Sequence, residues 1–159
     1  MAPRRTIAVV GPSDADDALR EIAYAVGKLL AQREAVVMTG GLGGVMAAAS
    51  HGARDAGGLV VGLLPSSDPA DANEFVDVAI PTGLGELRNG LLVRSVDGVI
   101  AVGGSWGTLS EIALAMRTDT PVVCLLGWKI SDQENAPVSL VTATSATEAI
   151  DVLFRAMKD

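Results

Sequence analysis

Apolar residues in this chain gather in short continuous runs, and longer stretches with helical spacing separate them. The runs are "TIAVV" (6–10), "AVVMT" (35–39), "GLVVGLL" (58–64), "FVDVAI" (75–80), "VDGVIAVG" (96–103) and "PVVCLLG" (121–127), with a shorter "VSLV" at 138–141. Rich in valine, leucine and isoleucine and bounded by glycine, proline or acidic residues, they predict strands. The stretches between them predict helices over Asp16 to Arg33, Gly44 to Ala56, Leu84 to Ser95, Thr108 to Arg117 and Thr144 to Met157. In the third helix, Leu84, Leu87, Leu91 and Leu92 are expected to form the buried stripe. In the last, Ala149, Val152, Leu153 and Ala156 should dock it on the sheet edge.

Strands that alternate with helices and are apolar at successive positions imply a mainly parallel sheet covered on both faces. The expected fold is therefore α/β, a Rossmann-like doubly wound sheet, with residues 1–159 as a single domain. In such sheets ligands bind outside the carboxyl ends of the strands, which directs attention to the loops that follow them. "PSSDPADAN" (65–73) reads as an exposed loop and a candidate lid or rim.

Two of those loops carry glycines. "TGGLGG" (39–44) follows the second strand, and "VGGSWGTLSE" (102–111) follows the fifth. The second contains Gly103, Ser105 and Gly107 in the G-x-S-x-G spacing of a hydrolase nucleophile elbow. That chemistry needs a histidine after the serine in the usual α/β order, and the one histidine of the chain, His51, precedes it. A phosphate loop fits better. Unpaired backbone N–H groups and the helix dipole favour an anion at a helix N-terminus, and glycines let the backbone approach it. The candidate phosphate and ligand contacts are Gly11 and Ser13 after the first strand, Gly40, Gly41, Gly43 and Gly44, and Gly103, Gly104, Ser105, Trp106, Gly107 and Thr108. Neither loop is a strict G-x-G-x-x-G, and no G-x-x-x-x-G-K-[ST] occurs, so neither a conventional dinucleotide site nor a P-loop is expected.

Two charged residues stand near these loops. Thr108 and Glu111 form T-x-x-E, which reads as a capping box, while helical side-chain tilt also aims Glu111 back at the loop. A carboxylate at a helix N-terminus is expected to be ionised. Arg88, in "ELRN", reads either as a snorkelling residue or as a clamp on a phosphate or ribose, with Asn89 beside it.

Charge and cysteine usage narrow the classes. Nineteen acidic residues against twelve basic ones give a net charge of −7 with no basic block, which argues against nucleic acid as a partner. One histidine and one cysteine, Cys124, exclude an internal disulfide and the usual zinc sets, so no metal site is expected. No run approaches the ~20 residues of a membrane span, and no secretory leader is evident, so a cytoplasmic location is expected.

The combination "TGGLGGVMAAASHGA", "ELRN" and "GGSWGTLSEIALA" resembles the Lonely Guy (LOG) superfamily, with P-G-G-x-G-T-x-x-E, a preceding G-G-x-x-G-x-M loop and an upstream arginine as signature. Gly104, Gly107, Thr108 and Glu111 match the second motif, Gly40, Gly41, Gly44 and Met46 the first, and Arg88 the arginine. Gly103 replaces the motif's proline, Ser105 its second glycine, and Asn89 the lysine that usually follows the arginine. The R-N pair and the "TGG-x-GGVM" form look more like the branch related to molybdenum cofactor carrier proteins. That branch implies a phosphorylated heterocycle, such as a pterin phosphate, molybdenum cofactor or a nucleotide, held between the two glycine loops. The molybdenum cofactor would be cargo, no further cofactor would be required, and the protein would be a homodimer or larger. The hydrolytic branch implies cleavage of the N-glycosidic bond of a nucleoside 5'-monophosphate such as AMP, with Arg88 and Glu111 as catalytic residues. Both readings remain open at the level of sequence.

Overall fold

The computed structural model describes residues 3–157. Seven strands, β1 (Thr6–Val10), β2 (Val36–Thr39), β3 (Val60–Leu64), β4 (Val78–Pro81), β5 (Gly98–Val102), β6 (Val122–Leu125) and β7 (Thr142–Ala143), alternate with helices α1 (Asp17–Gln32), α2 (Val45–Asp55), α3 (Arg88–Arg94), α4 (Trp106–Arg117) and α5 (Ala146–Ala156). The strands form one sheet in the order β4-β3-β2-β1-β5-β6-β7, and every pairing is parallel. The expected Rossmann-like doubly wound fold is therefore the one observed.

Two apolar layers explain why the strands read as continuous runs. Ile7 and Val9 of β1 join Val26 and Leu30 of α1, Ala49 of α2 and Leu153 of α5 on one face. Ala8 and Val10 of the same strand join Leu92 and Val93 of α3 and Ile112 and Ala115 of α4 on the other. Successive side chains point to opposite faces, so a strand covered on both sides has no polar position to offer. Cys124 lies within the second layer, and burial pushes its thiol pKa up, as expected of a packing residue. None of the described helices is long and apolar enough to cross a membrane.

Several element boundaries differ from the sequence reading. The expected third helix is split into a 3-10 turn, Gly85–Leu87, and the short helix α3. Its supposed buried stripe is mostly outside: Leu84, Leu87 and Leu91 are 45%, 75% and 43% exposed, and only Leu92 is fully buried. Helix α5 buries Ala149, Ile150 and Leu153, with Val152 only partly buried and Ala156 exposed. It lies over the sheet face, since a Cβ at Gly98 of β5 would meet Leu153 and Met157. The strand expected at 138–141 is displaced to the two residues of β7, with Val138 and Val141 exposed. The 65–73 loop is largely exposed, as expected, and contains a 3-10 turn at Pro69–Asp71. Its end is tied to the first glycine loop: Asn73 donates from its backbone to Gly41 O (2.8 Å) and from Nδ2 to Leu42 O (2.9 Å).

Candidate functional site

The chain runs from β1 outward to β4 and then returns to place β5 on the other side of β1, which creates a topological switch point between those central strands. A cavity of about 420 Å³ opens there. It is lined by Gly11 and Ser13 after β1, Leu42 and Met46 around the start of α2, Pro65 after β3, and Ser105, Gly107, Thr108 and Glu111 after β5. Gly85, Glu86, Arg88 and Asn89 close it from the α3 side.

Both helices that end at the cavity are anchored by short polar links. Gly44 caps α2 with φ 59° and ψ −125°, a conformation that only glycine adopts without strain, and a Cβ there would collide with the Pro12 and Ser13 carbonyl groups. Val45 N–H donates to Pro12 O at 3.0 Å, which fixes the first turn against the β1 loop. Helix α4 starts at Trp106, two residues before the sequence reading placed it, because Ser105 is its N-cap and accepts from Thr108 N–H at 3.2 Å. The Ser105 and Thr108 hydroxyls also bond each other at 2.9 Å.

This corrects two expectations. The T-x-x-E stretch is no capping box, since Ser105 occupies the cap and Glu111 stands one and a half turns inside the helix. Ser105 is a cap in extended backbone (φ −148°), without the strained turn of an elbow, and His51 lies away from it. His51 stacks on Phe75 with ring centroids 4.2 Å apart, meets Tyr24 edge-on at 5.3 Å, and its Nε2 stands 3.4 Å from Asp55 Oδ2. These belong to a separate hollow between α1 and α2.

Arg88 and Glu111 are the charged residues at the cavity's base, each only 7% exposed. Arg88 reaches under the first glycine loop, where a Cβ on Gly40 would collide with its guanidinium, so Gly40 makes room for the arginine. Its Nε is buried without a hydrogen-bond partner. Among the described residues no ion pair within 4 Å joins Arg88 to Glu111. Burial pushes the Glu111 carboxyl up to about 7, and the positive charge of Arg88 opposes that rise. The expected ionised helix-terminal carboxylate is thereby corrected: the group sits too deep in α4 for the dipole to dominate, and desolvation wins. Burial likewise lowers the Arg88 pKa, opposed by Glu111. Asn89 Nδ2 donates to Ser110 Oγ at 2.9 Å, and Ser110 Oγ donates to Gly107 O at 2.7 Å, which locks α3 to α4.

The cavity thus gathers Gly11, Ser13, Arg88, Asn89, Ser105, Gly107, Thr108 and Glu111 from the sequence candidates. Others stand behind or beside it. Gly41 (φ 77°) backs onto Leu64, and Gly43 approaches Ser13 O. Gly103 and Gly104 border a narrow slot with Trp128, while Trp106 is 79% exposed and packs edge-on against Trp128. Pro65, at the start of the 65–73 segment read as a rim, reaches the cavity from the end of β3, whereas Leu42, Met46, Gly85 and Glu86 carry no local chemical signal, and the segment leading into α3 brings the last two there.

Fold and cavity together define a Rossmann-like protein with a crevice at the carboxyl ends of the central strands. The chain belongs to the SLOG cluster4 family, whose profile matches residues 4–151. It is 44% identical over 119 residues to an uncharacterized protein of Archaeoglobus fulgidus, covering 75% of this chain and 78% of that one. Its structure is similar to the molybdenum cofactor binding protein of the phototrophic bacterium Rippkaea orientalis, with a TM-score of 0.89 and 37% identity over 99% of this chain and 100% of that one. It is also similar to the molybdenum cofactor carrier protein of Chlamydomonas reinhardtii, with a TM-score of 0.83 and 30% identity over 98% and 99% of the two chains. These likenesses agree with the LOG-type motifs and with the carrier-like branch.

Proposed function

We propose that this protein is a carrier that holds a phosphorylated heterocycle in the cavity at the switch point, with molybdenum cofactor as its cargo. The observation that carries this reading is the pairing of an unpartnered buried arginine with a buried carboxyl at the base of a cavity rimmed by two helix N-termini. The helix ends suit the phosphate, because first-turn amides and the dipole favour an anion without any lysine. Arg88, Asn89, Gly107, Thr108 and Glu111 would form the site, with Gly40, Gly44 and the helix cap Ser105 shaping it and residues 1–159 acting as one unit. The names of the Rippkaea and Chlamydomonas proteins support the cargo class. Exposed Leu84, Leu87 and Leu91 support a homodimer or larger assembly in which a second copy covers them.

The test is retention of molybdenum cofactor by the purified protein through gel filtration, with molybdenum and the oxidised pterin quantified in the protein peak. Stoichiometric co-elution that is lost in Arg88→Ala supports the carrier. No co-elution, with correct folding verified by circular dichroism, rejects that cargo.

A second reading draws on one further observation. A carboxyl with a pKa of about 7 can accept and return a proton at neutral pH, as N-glycosidic hydrolysis requires. Incubation with AMP, followed by chromatography for adenine and ribose 5-phosphate, separates the two. Release that disappears in Glu111→Ala makes the protein a hydrolase.

A further inference from the structure

Arg88 and Glu111 line one cavity, carry opposite charges and are almost wholly buried, yet no ion pair within 4 Å joins them. No hydrogen bond to the Glu111 carboxyl occurs among the described residues, and the buried Nε of Arg88 is unpartnered. Two such groups are costly to bury incomplete, and the usual remedy, mutual contact, is absent. The Asn89 to Ser110 bond between α3 and α4 holds their helices at a fixed separation. What remains is a cavity lined by a donor-only group and, when ionised, an acceptor-only group.

The complement of that arrangement is specific. A ring edge that meets both groups at once must offer an acceptor to the guanidinium N–H and, to occupy both carboxylate oxygens, two donors. A 2-amino-4-oxo pyrimidine ring presents that edge: the carbonyl oxygen, the adjacent ring N–H and the exocyclic amino group. Adenine offers a ring acceptor where the carboxylate requires a donor. Hypoxanthine keeps the carbonyl and ring N–H and lacks the amino group. Resting on the ligand site proposed above, we infer that Arg88 and Glu111 together read the 2-amino-4-oxo edge shared by pterins and guanine, so the cavity selects this class against adenine.

The test is calorimetric titration of the full chain at pH 8 with GMP, IMP, AMP and neopterin monophosphate. GMP is expected to bind roughly tenfold tighter than IMP and roughly a hundredfold tighter than AMP, since each mismatch leaves a buried charged group unpaired. Glu111→Gln, which retains only one acceptor, should weaken GMP about tenfold or more and change AMP by no more than a few-fold. The wild-type series stands even where that variant is unstable. Equal affinity for GMP and AMP overturns the edge reading and leaves the proposed carrier standing. No binding of any of the four overturns the ligand site as well. Preference for neopterin monophosphate over GMP assigns the edge to a pterin, and the reverse assigns it to a guanine nucleotide.

Discussion

Glu111 sits where burial and a nearby cation oppose each other, and burial prevails. The consequence is a pH signature. Its carboxyl has a folded-state pKa of about 7, above its ordinary value of 4.5, so the folded state binds the proton more tightly than the unfolded chain. Stability from this group is complete below about pH 4.5 and is lost as pH rises through about 7. Across that window the loss is on the order of 3 kcal/mol as an upper figure. Replacement by Gln removes the titration, so Glu111→Gln should melt higher than wild type at pH 8 and show a flatter Tm profile between pH 5 and 8. Differential scanning calorimetry across that range checks it, and a variant whose Tm tracks wild type at every pH contradicts the assignment.

At the scale of elements, the start of α4 decides what Ser105 is for. Its side chain accepts from Thr108 N–H and bonds the Thr108 hydroxyl. Ser105→Ala should therefore cost about 1 kcal/mol of stability, the usual value of an N-cap, measured by urea unfolding. Ligand retention should survive, because the first-turn amides remain. A stability change near zero together with complete loss of binding would instead make the hydroxyl a ligand contact. The motif spacing alone supported both an elbow and a phosphate loop, since both put glycines and a hydroxyl residue between a strand and a helix. The extended backbone at Ser105 separates them, and backbone dihedrals are not written in a five-residue pattern.

For the molecule as a whole, the apolar residues of the α3 region are the largest departure from expectation. Leu84, Leu87 and Leu91 have helical spacing, yet the segment bends at the Gly85–Leu87 turn and faces Arg88 and Leu92 inward instead. The proposed assembly would put a second copy on this outward leucine face, and a stable interface needs at least about 1,000 Å² of total buried surface. Leu87→Asp is expected to shift the protein to a monomer in light scattering coupled to gel filtration, without loss of helical circular dichroism. Wild type that is already monomeric at tens of micromolar rejects the assembly.

Much of this protein was determined by its sequence. Apolar runs without alternation imply strands covered on both faces, and their alternation with helical stretches implies parallel order; these are local properties of composition and period, and the sheet obeys them except at the edge strand β4, where Val78 and Ile80 are exposed. The glycine loops were legible for the same reason, because close backbone approach and positive φ both favour glycine. Tertiary structure alone decided which face of α3 is buried, which loop glycines border the cavity, and that Arg88 and Glu111, far apart in the chain, share one base without touching. Those outcomes depend on how crossovers place elements over the sheet. The Glu111 pKa follows from them, since desolvation is a property of surroundings and not of neighbours in sequence.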